Sequence, residues 1–176
     1  AFFSDCTDTF TKDITIRNIG NTAGEFTTGL YVTNCDDHND YNPDIRDCLT
    51  GGIKYRADTL GDSVGGNCYS PKVYRAGLIG IAHGKCQDRT TYNAYVVNCG
   101  DNGLDMNGCS NVWFDGGMSK GNLDGAYMGE NSITNCGIRG MRLLSNGRAG
   151  VGSLGSLTEC YILDVVMDGN GSGIYC

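Results

Sequence analysis

The chain has 176 residues, with 28 Gly, only 2 Pro, 10 Cys and a formal net charge of −7 from 13 basic and 20 acidic side chains. That length suits one domain with a sizeable core. The charge argues against nucleic acid or an anionic membrane as the main partner, because both call for a concentrated basic patch, and no apolar run approaches the roughly 20 residues of a membrane-spanning helix.

In chain order, residues 1–13 read as an N-terminal cap or lead-in to a single domain covering 1–176. No signal peptide is visible, and a start at Ala1 without Met is expected of a processed, trimmed or partial chain. Ile14-Thr15-Ile16 is the first β-type run. Gly29-Leu30-Tyr31-Val32 then opens a pattern of Gly, apolar, variable, apolar. It returns at Gly52-Ile53-Lys54-Tyr55, Gly80-Ile81-Ala82-His83, Gly103-Leu104-Asp105-Met106, Gly125-Ala126-Tyr127-Met128, Gly150-Val151-Gly152-Ser153 and Gly173-Ile174-Tyr175-Cys176. The intervals between these glycines are 23, 28, 23, 22, 25 and 23 residues. The long second interval predicts a loop excursion over residues 56–72. Second strands fall between the copies at Val73-Tyr74, Tyr95-Val96-Val97, Val112-Trp113-Phe114, Ile133-Thr134 and Tyr161-Ile162-Leu163. Gly140-Met141-Arg142-Leu143 matches the pattern out of phase and reads as another strand of its own coil.

The columns carry the argument. The residue after each repeat glycine is always aliphatic, the next is mixed, and the third is mainly apolar. In, out, in is the signature of a strand with one buried face. A unit of about 24 residues with short strands and no helix cannot bury its apolar side chains alone, but a stack of such units can. The prediction is an all-β, right-handed parallel β-helix (β-solenoid) of about seven coils, roughly 34 Å long at about 4.8 Å per coil. Asn-Gly pairs at 102–103, 107–108, 146–147 and 170–171 are the expected corners, since both residues tolerate positive φ. A Gly-rich β-sandwich is the competing architecture.

Two segments, Asn98-Cys99-Gly100-Asp101-Asn102-Gly103-Leu104-Asp105-Met106-Asn107-Gly108 and Asn111-Val112-Trp113-Phe114-Asp115-Gly116-Gly117, resemble coils of the right-handed parallel β-helix, or pectin-lyase-like, superfamily. The resemblance covers residues 14–176. It implies a fold shared by pectate lyases, polygalacturonases, surface adhesins and bacteriophage tailspikes or appendages, and for the last group a homotrimer.

Ten cysteines without any Cys-x-x-Cys pair do not look like a zinc module. His83-Gly84-Lys85-Cys86 has ligand-like spacing, but the other histidine, His38, stands alone in an acidic, loop-like stretch. No metal or cofactor is expected. An oxidising, extracellular setting with at least two disulfides is the reading preferred, with buried thiols as the alternative. Repeat phase makes Cys86 with Cys109, and Cys136 with Cys160, the candidate pairs, while Cys176 could pin the open end.

Enzymes of the resembled fold work with carboxylates on an outer face. Asp105, Asp115 and Asp124 are the candidate acid and base groups, although Asp is equally at home in turns. The polygalacturonase signatures are absent as written. His83 leans inward, and Arg139, Arg142 and Arg148 read as solvated surface. Threonines share no repeat column, which argues against ice binding. The outward column Tyr31, Lys54, Asp105, Tyr127, Tyr175 is the candidate binding stripe, suited to sugars or a partner subunit. The expected function is a structural or adhesive module of a virion (tailspike, fibre or decoration protein) or surface appendage, virion-borne or extracellular. Its partners would be itself, other virion or surface proteins, and polysaccharide. A carbohydrate-active enzyme fragment and a secreted adhesin are the alternatives.

Overall fold

The structure, a computed structural model, describes residues 1–20, 27–60, 62 and 65–176. Among these residues there is no helix, and all strand pairs are parallel. The first face of the solenoid stacks eight strands: Phe2–Ser4, Leu30–Thr33, Ile53–Arg56, Ile81–Gly84, Leu104–Asn107, Asp124–Met128, Ala149–Gly152 and Ser172–Tyr175. Their register places Leu30, Ile53, Ile81, Leu104, Ala126, Val151 and Ile174 directly above one another. Leu30, Ile53, Ile81 and Leu104 have no solvent exposure. The column deduced from periodicity is therefore one wall of a continuous core, and a sandwich, which needs antiparallel sheets, is ruled out. Strand, crossover and parallel strand give the coil its right hand.

The second and third faces merge into one 13-stranded sheet. In the middle of the rod, single bent strands such as Gln87–Val97, Ser110–Lys120 and Gly137–Leu144 run around the corner between them. Met141 to Leu144 belongs to the last of these, so the out-of-phase copy is indeed a further strand of its coil. Six turns separate Leu30 from Ile174. A further one opens within residues 1–20, where Phe2–Ser4 and Phe10–Lys12 already lie in register with the next coil. The excursion narrows to the residues between Arg56 and Asn67, because Asn67–Tyr69 is back in the second face. Residues 61, 63 and 64 of that span lie outside the described residues.

Corners are made differently from the Asn-Gly expectation. Of the four pairs, only Asn107-Gly108 supplies a left-handed residue, Gly108. Elsewhere single residues take that conformation, most of them Asn, Asp or Gly, with Ser70, Arg75, Lys85, Ser145 and Glu159 also left-handed. The corner between the second and third faces stacks Asp13, Asn42, Ser70, Asn93, Gly116, Gly140 and Asp164, all at φ between 50° and 74°. Short polar side chains that bond locally make this conformation affordable outside glycine. Asn146 and Asn170 serve the interior instead. Asn122, Asn146 and Asn170 form a ladder in which the Asn146 Oδ1 accepts from the Asn122 backbone N–H (3.1 Å) and the Asn170 Oδ1 from the Asn146 N–H (2.9 Å).

The repeat glycines answer to space, not to φ. A Cβ on Gly29, Gly52 or Gly80 would sit 2.3 Å from Ile45, Val73 or Val96 respectively. Each of those is an inward side chain of the third face, so the aliphatic residue of one wall fills the gap left by the glycine of another.

Cys109, Cys136 and Cys160 carry free thiols in the structure, so neither expected pair is bridged there. In-register parallel rungs hold two Cβ atoms side by side, with both thiols pointing the same way, which suits stacking better than the S–S torsion. Thiols along the core donate to the carbonyl two residues before them: Cys6 to Ser4 (3.2 Å), Cys35 to Thr33 (3.2 Å) and Cys86 to Gly84 (3.5 Å), and, in another column, Cys136 to Thr134 (3.2 Å). Burial raises the Cys136 thiol to about 11. Cys109 is also raised, by burial and by the neighbouring Cys86. Cys176 is exposed at the last coil.

Candidate functional site

Because inward and outward side chains alternate, the first face presents one outward column: Phe2, Tyr31, Lys54, Ala82, Asp105, Tyr127, Gly152, Tyr175. All five residues of the sequence-derived stripe share it. They do not share one environment. The Phe2 and Tyr31 rings meet at 5.5 Å, and the Lys54 ammonium lies 5.4 Å from the Tyr31 ring centre. Further along, Tyr127 is outward by register yet only 5% exposed. The Arg148 guanidinium, 5.9 Å from the Tyr127 ring and 5.8 Å from that of Tyr175, spans the gap left by Gly152. Tyr127 is therefore a support under Arg148 and not an open contact residue.

The open part of the face is a valley along the rod axis. Two hollows of about 520 and 290 Å³ adjoin, sharing Lys54 and Arg56. Tyr31 walls the first, while Lys85, Asp105 and Asn107 wall the second. Ala82 and Gly84, small residues between taller neighbours, form its floor. Asp105 is half-buried there, and its carboxyl is raised to about 7 by burial and then by the negative charges of Glu130 and Asp101, against the pull of Lys54. Burial, then Arg56, lowers the Lys54 ammonium. A carboxyl that changes charge near neutrality beside basic groups can exchange protons with a bound ligand.

Asp115 and Asp124 do not join Asp105. Asp115 lies on the second face, paired with Arg139 at 2.7 Å, and that guanidinium is 5.5 Å from the Trp113 ring centre. Asp124 is fully buried, bound to Arg148 through Nε and Nη2, and accepts the Ala149 N–H at 3.1 Å. It positions Arg148 and has no face toward a ligand. The expected trio of carboxylates is therefore reduced to Asp105. Arg139 and Arg148 lie at the surface as expected, with 49% and 40% of their side chains exposed, and each also forms one of these ion pairs.

Sequence reading missed the polar centre of the interior. His38, Asp40, Tyr55, His83 and Arg89 are all at 0% exposure. Asp40 accepts from the Thr11 hydroxyl and from the Tyr55 phenol (2.5 Å), and its Oδ1 lies 3.2 Å from His38 Nε2. Burial alone would raise the Asp40 carboxyl. The hydrogen bond and charge of His38, with the two hydroxyls, outweigh burial and hold it below the usual carboxylate range. Arg89 donates to the His38 carbonyl (3.1 Å) and lies 4.3 Å from the Tyr55 ring centre. His38 is thus a buried partner, not a lone loop residue. His83 is interior as expected, stacked on Tyr55 at 5.1 Å, with its imidazolium strongly disfavoured by burial and by Arg89. The signal was phase: Asp40 occupies the inward column of Thr11 and Cys68.

No family model matches the chain, and no curated protein matches it. Solved structures do. The chain is similar to the enzymatically active domain of bacteriophage CBA120 tailspike protein 2 (16% identity, TM-score 0.67, covering 99% of this chain and 32% of that one). It is similar to the Azotobacter vinelandii mannuronan C-5 epimerase AlgE4 A-module (12%, 0.64, 96% and 55%) and to the periplasmic alginate epimerase AlgG (12%, 0.57, 93% and 50%). At such identities the likeness shows the fold. The chain spans about a third to just over half of these proteins.

Proposed function

We propose that this β-helix is a polysaccharide-binding module of a virion or surface appendage, which grips an extended glycan along the valley of its first face. The observation that carries the reading is the continuity of the two hollows through Lys54 and Arg56, with a tyrosine at one end and a titrating carboxylate at the other. Tyr31 offers a ring to a sugar face. Lys54, Arg56 and Lys85 offer charge to acidic substituents. The tailspike and epimerase structures of like fold support a role with carbohydrate. A homotrimer of such rods would display the valley in several copies.

The test is affinity electrophoresis of the full chain in alginate, polygalacturonate and dextran. Retardation by an acidic glycan, lost in Lys54→Ala and Arg56→Ala, is the expected result. Unretarded migration in both acidic gels would overturn it. Light scattering checks the assembly, and a monomer would remove the trimer.

A second reading, a carbohydrate-active enzyme, rests on Asp105, because a group that titrates near neutrality suits acid–base work at that pH. Release of reducing ends from a bound glycan, abolished by Asp105→Asn, would favour it. Intact chains after long incubation would exclude it.

A further inference from the structure

A second hollow, unrelated to the first-face valley, lies on the second face near the N-terminal end. Its volume is about 540 Å³, and its walls include Asp8, Phe10, Asp37, Asn39, Tyr41 and Asn67. Tyr41 begins a ladder of three parallel rings. It stacks on Tyr69 at 5.0 Å and 7°, and Tyr69 stacks on Tyr92 at 5.2 Å and 9°. One face of Tyr41 is therefore braced. On its other side the column continues to Lys12, not to a ring. Phe10, at 68% the most exposed large apolar side chain among the described residues, stands on the neighbouring outward column beside it. The two amides are fixed by the ladder: Asn39 Oδ1 accepts the Asn67 N–H (2.9 Å) and Asn67 Oδ1 accepts the Thr90 N–H (3.2 Å). Asp8 and Asp37 are exposed corner residues stacked on successive coils, at φ 52° and 49°. The backbone of Gly66 closes the hollow, since a Cβ there would strike the His38 carbonyl at 2.2 Å.

Rigid aromatic walls, carboxylate acceptors and no basic wall residue form a chemistry opposite to that of the first face. Sugar C–H faces pack on aromatic rings, and paired hydroxyls donate to carboxylates in charge-assisted bonds. Uronates and sulfated sugars would be repelled. We propose that this hollow is a second carbohydrate site, which takes a neutral pyranose against Tyr41 and Phe10 with its hydroxyls on Asp8 and Asp37. A rod with an acidic-glycan valley on one face and a neutral-sugar site on the next could hold two segments of a mixed polymer at once.

The experiment is saturation-transfer NMR and calorimetry on the full chain with the neutral probes maltohexaose, cellohexaose and mannohexaose. At least one is expected to bind. Asn is at home at left-handed corners, so Asp8→Asn and Asp37→Asn keep the coil and its melting temperature. Each should weaken binding about tenfold, as loss of a charged hydrogen bond predicts. Tyr41→Ala should abolish it. Failure of all three sugars to bind overturns the proposal. So does binding that survives Tyr41→Ala, or that is unchanged in both Asp variants.

Discussion

Tyr55→Phe removes one oxygen atom from the middle of the rod. The ring stays between His83 at 5.1 Å and the Arg89 guanidinium at 4.3 Å, so packing is kept. What is lost is the phenol donor at 2.5 Å from the fully buried Asp40 carboxylate. A hydrogen bond to a charged group is worth about 1.5–3 kcal/mol. In a chain of this length each kcal/mol moves the melting point by about 2–4 °C, so a fall of about 3–12 °C is expected. Tyr69→Phe is the control, because that ring is half-exposed in the outer ladder and surface changes stay within about 0.5 kcal/mol. The acid limb gives a second reading. Asp40 is held below its ordinary value in the folded chain, so its contribution is present above that value and lost as the pH falls through the folded one. Without the phenol the folded value rises, and acid unfolding should begin at a higher pH. Circular-dichroism melts at neutral pH and down the acid range measure both. A Tyr55→Phe melting point no lower than that of Tyr69→Phe, or an unchanged acid midpoint, would refute the reasoning.

Asp105 should behave in the opposite sense. Its carboxyl is raised to about 7, so the folded chain loses stability as the pH rises from the unfolded value toward 7. Asp105→Asn should resist urea better than the parent above neutrality and equally well in acid, and equal midpoints at every pH would contradict this. Through the same titration, retardation by alginate should strengthen below about pH 7. The thiol column predicts that in the native state a thiol reagent labels Cys176 first, being the exposed cysteine, and that the unreduced, denatured chain takes up ten labels. A shortfall would reveal bridges.

Much of the architecture was written in the order of residues. Leu30, Ile53, Ile81 and Leu104 face one core because a glycine precedes each once per coil, at intervals of 23, 28 and 23 residues, the longer one holding the loop excursion. Met141 fell out of phase only because three walls, not two, share each turn. Corners were less legible, since one left-handed Asn or Asp does what an Asn-Gly pair announces, and Asp13 or Asn93 looks like any surface residue until its φ is known.

The chain by itself determined the stack, its period and which side chains alternate inward, because a repeating unit with one apolar edge has one way to bury it. Only the tertiary structure decided what the outward and polar residues do. Gly152 leaves the gap through which Arg148 roofs Tyr127, and Gly66 brings its backbone against the His38 carbonyl that Arg89 also reaches. Cys109, Cys136 and Cys160 are thiols in the structure, where in-register rungs aim neighbouring side chains alike. These outcomes depend on which residue lies one coil away, about two dozen positions along the chain, and on the space that residue happens to leave.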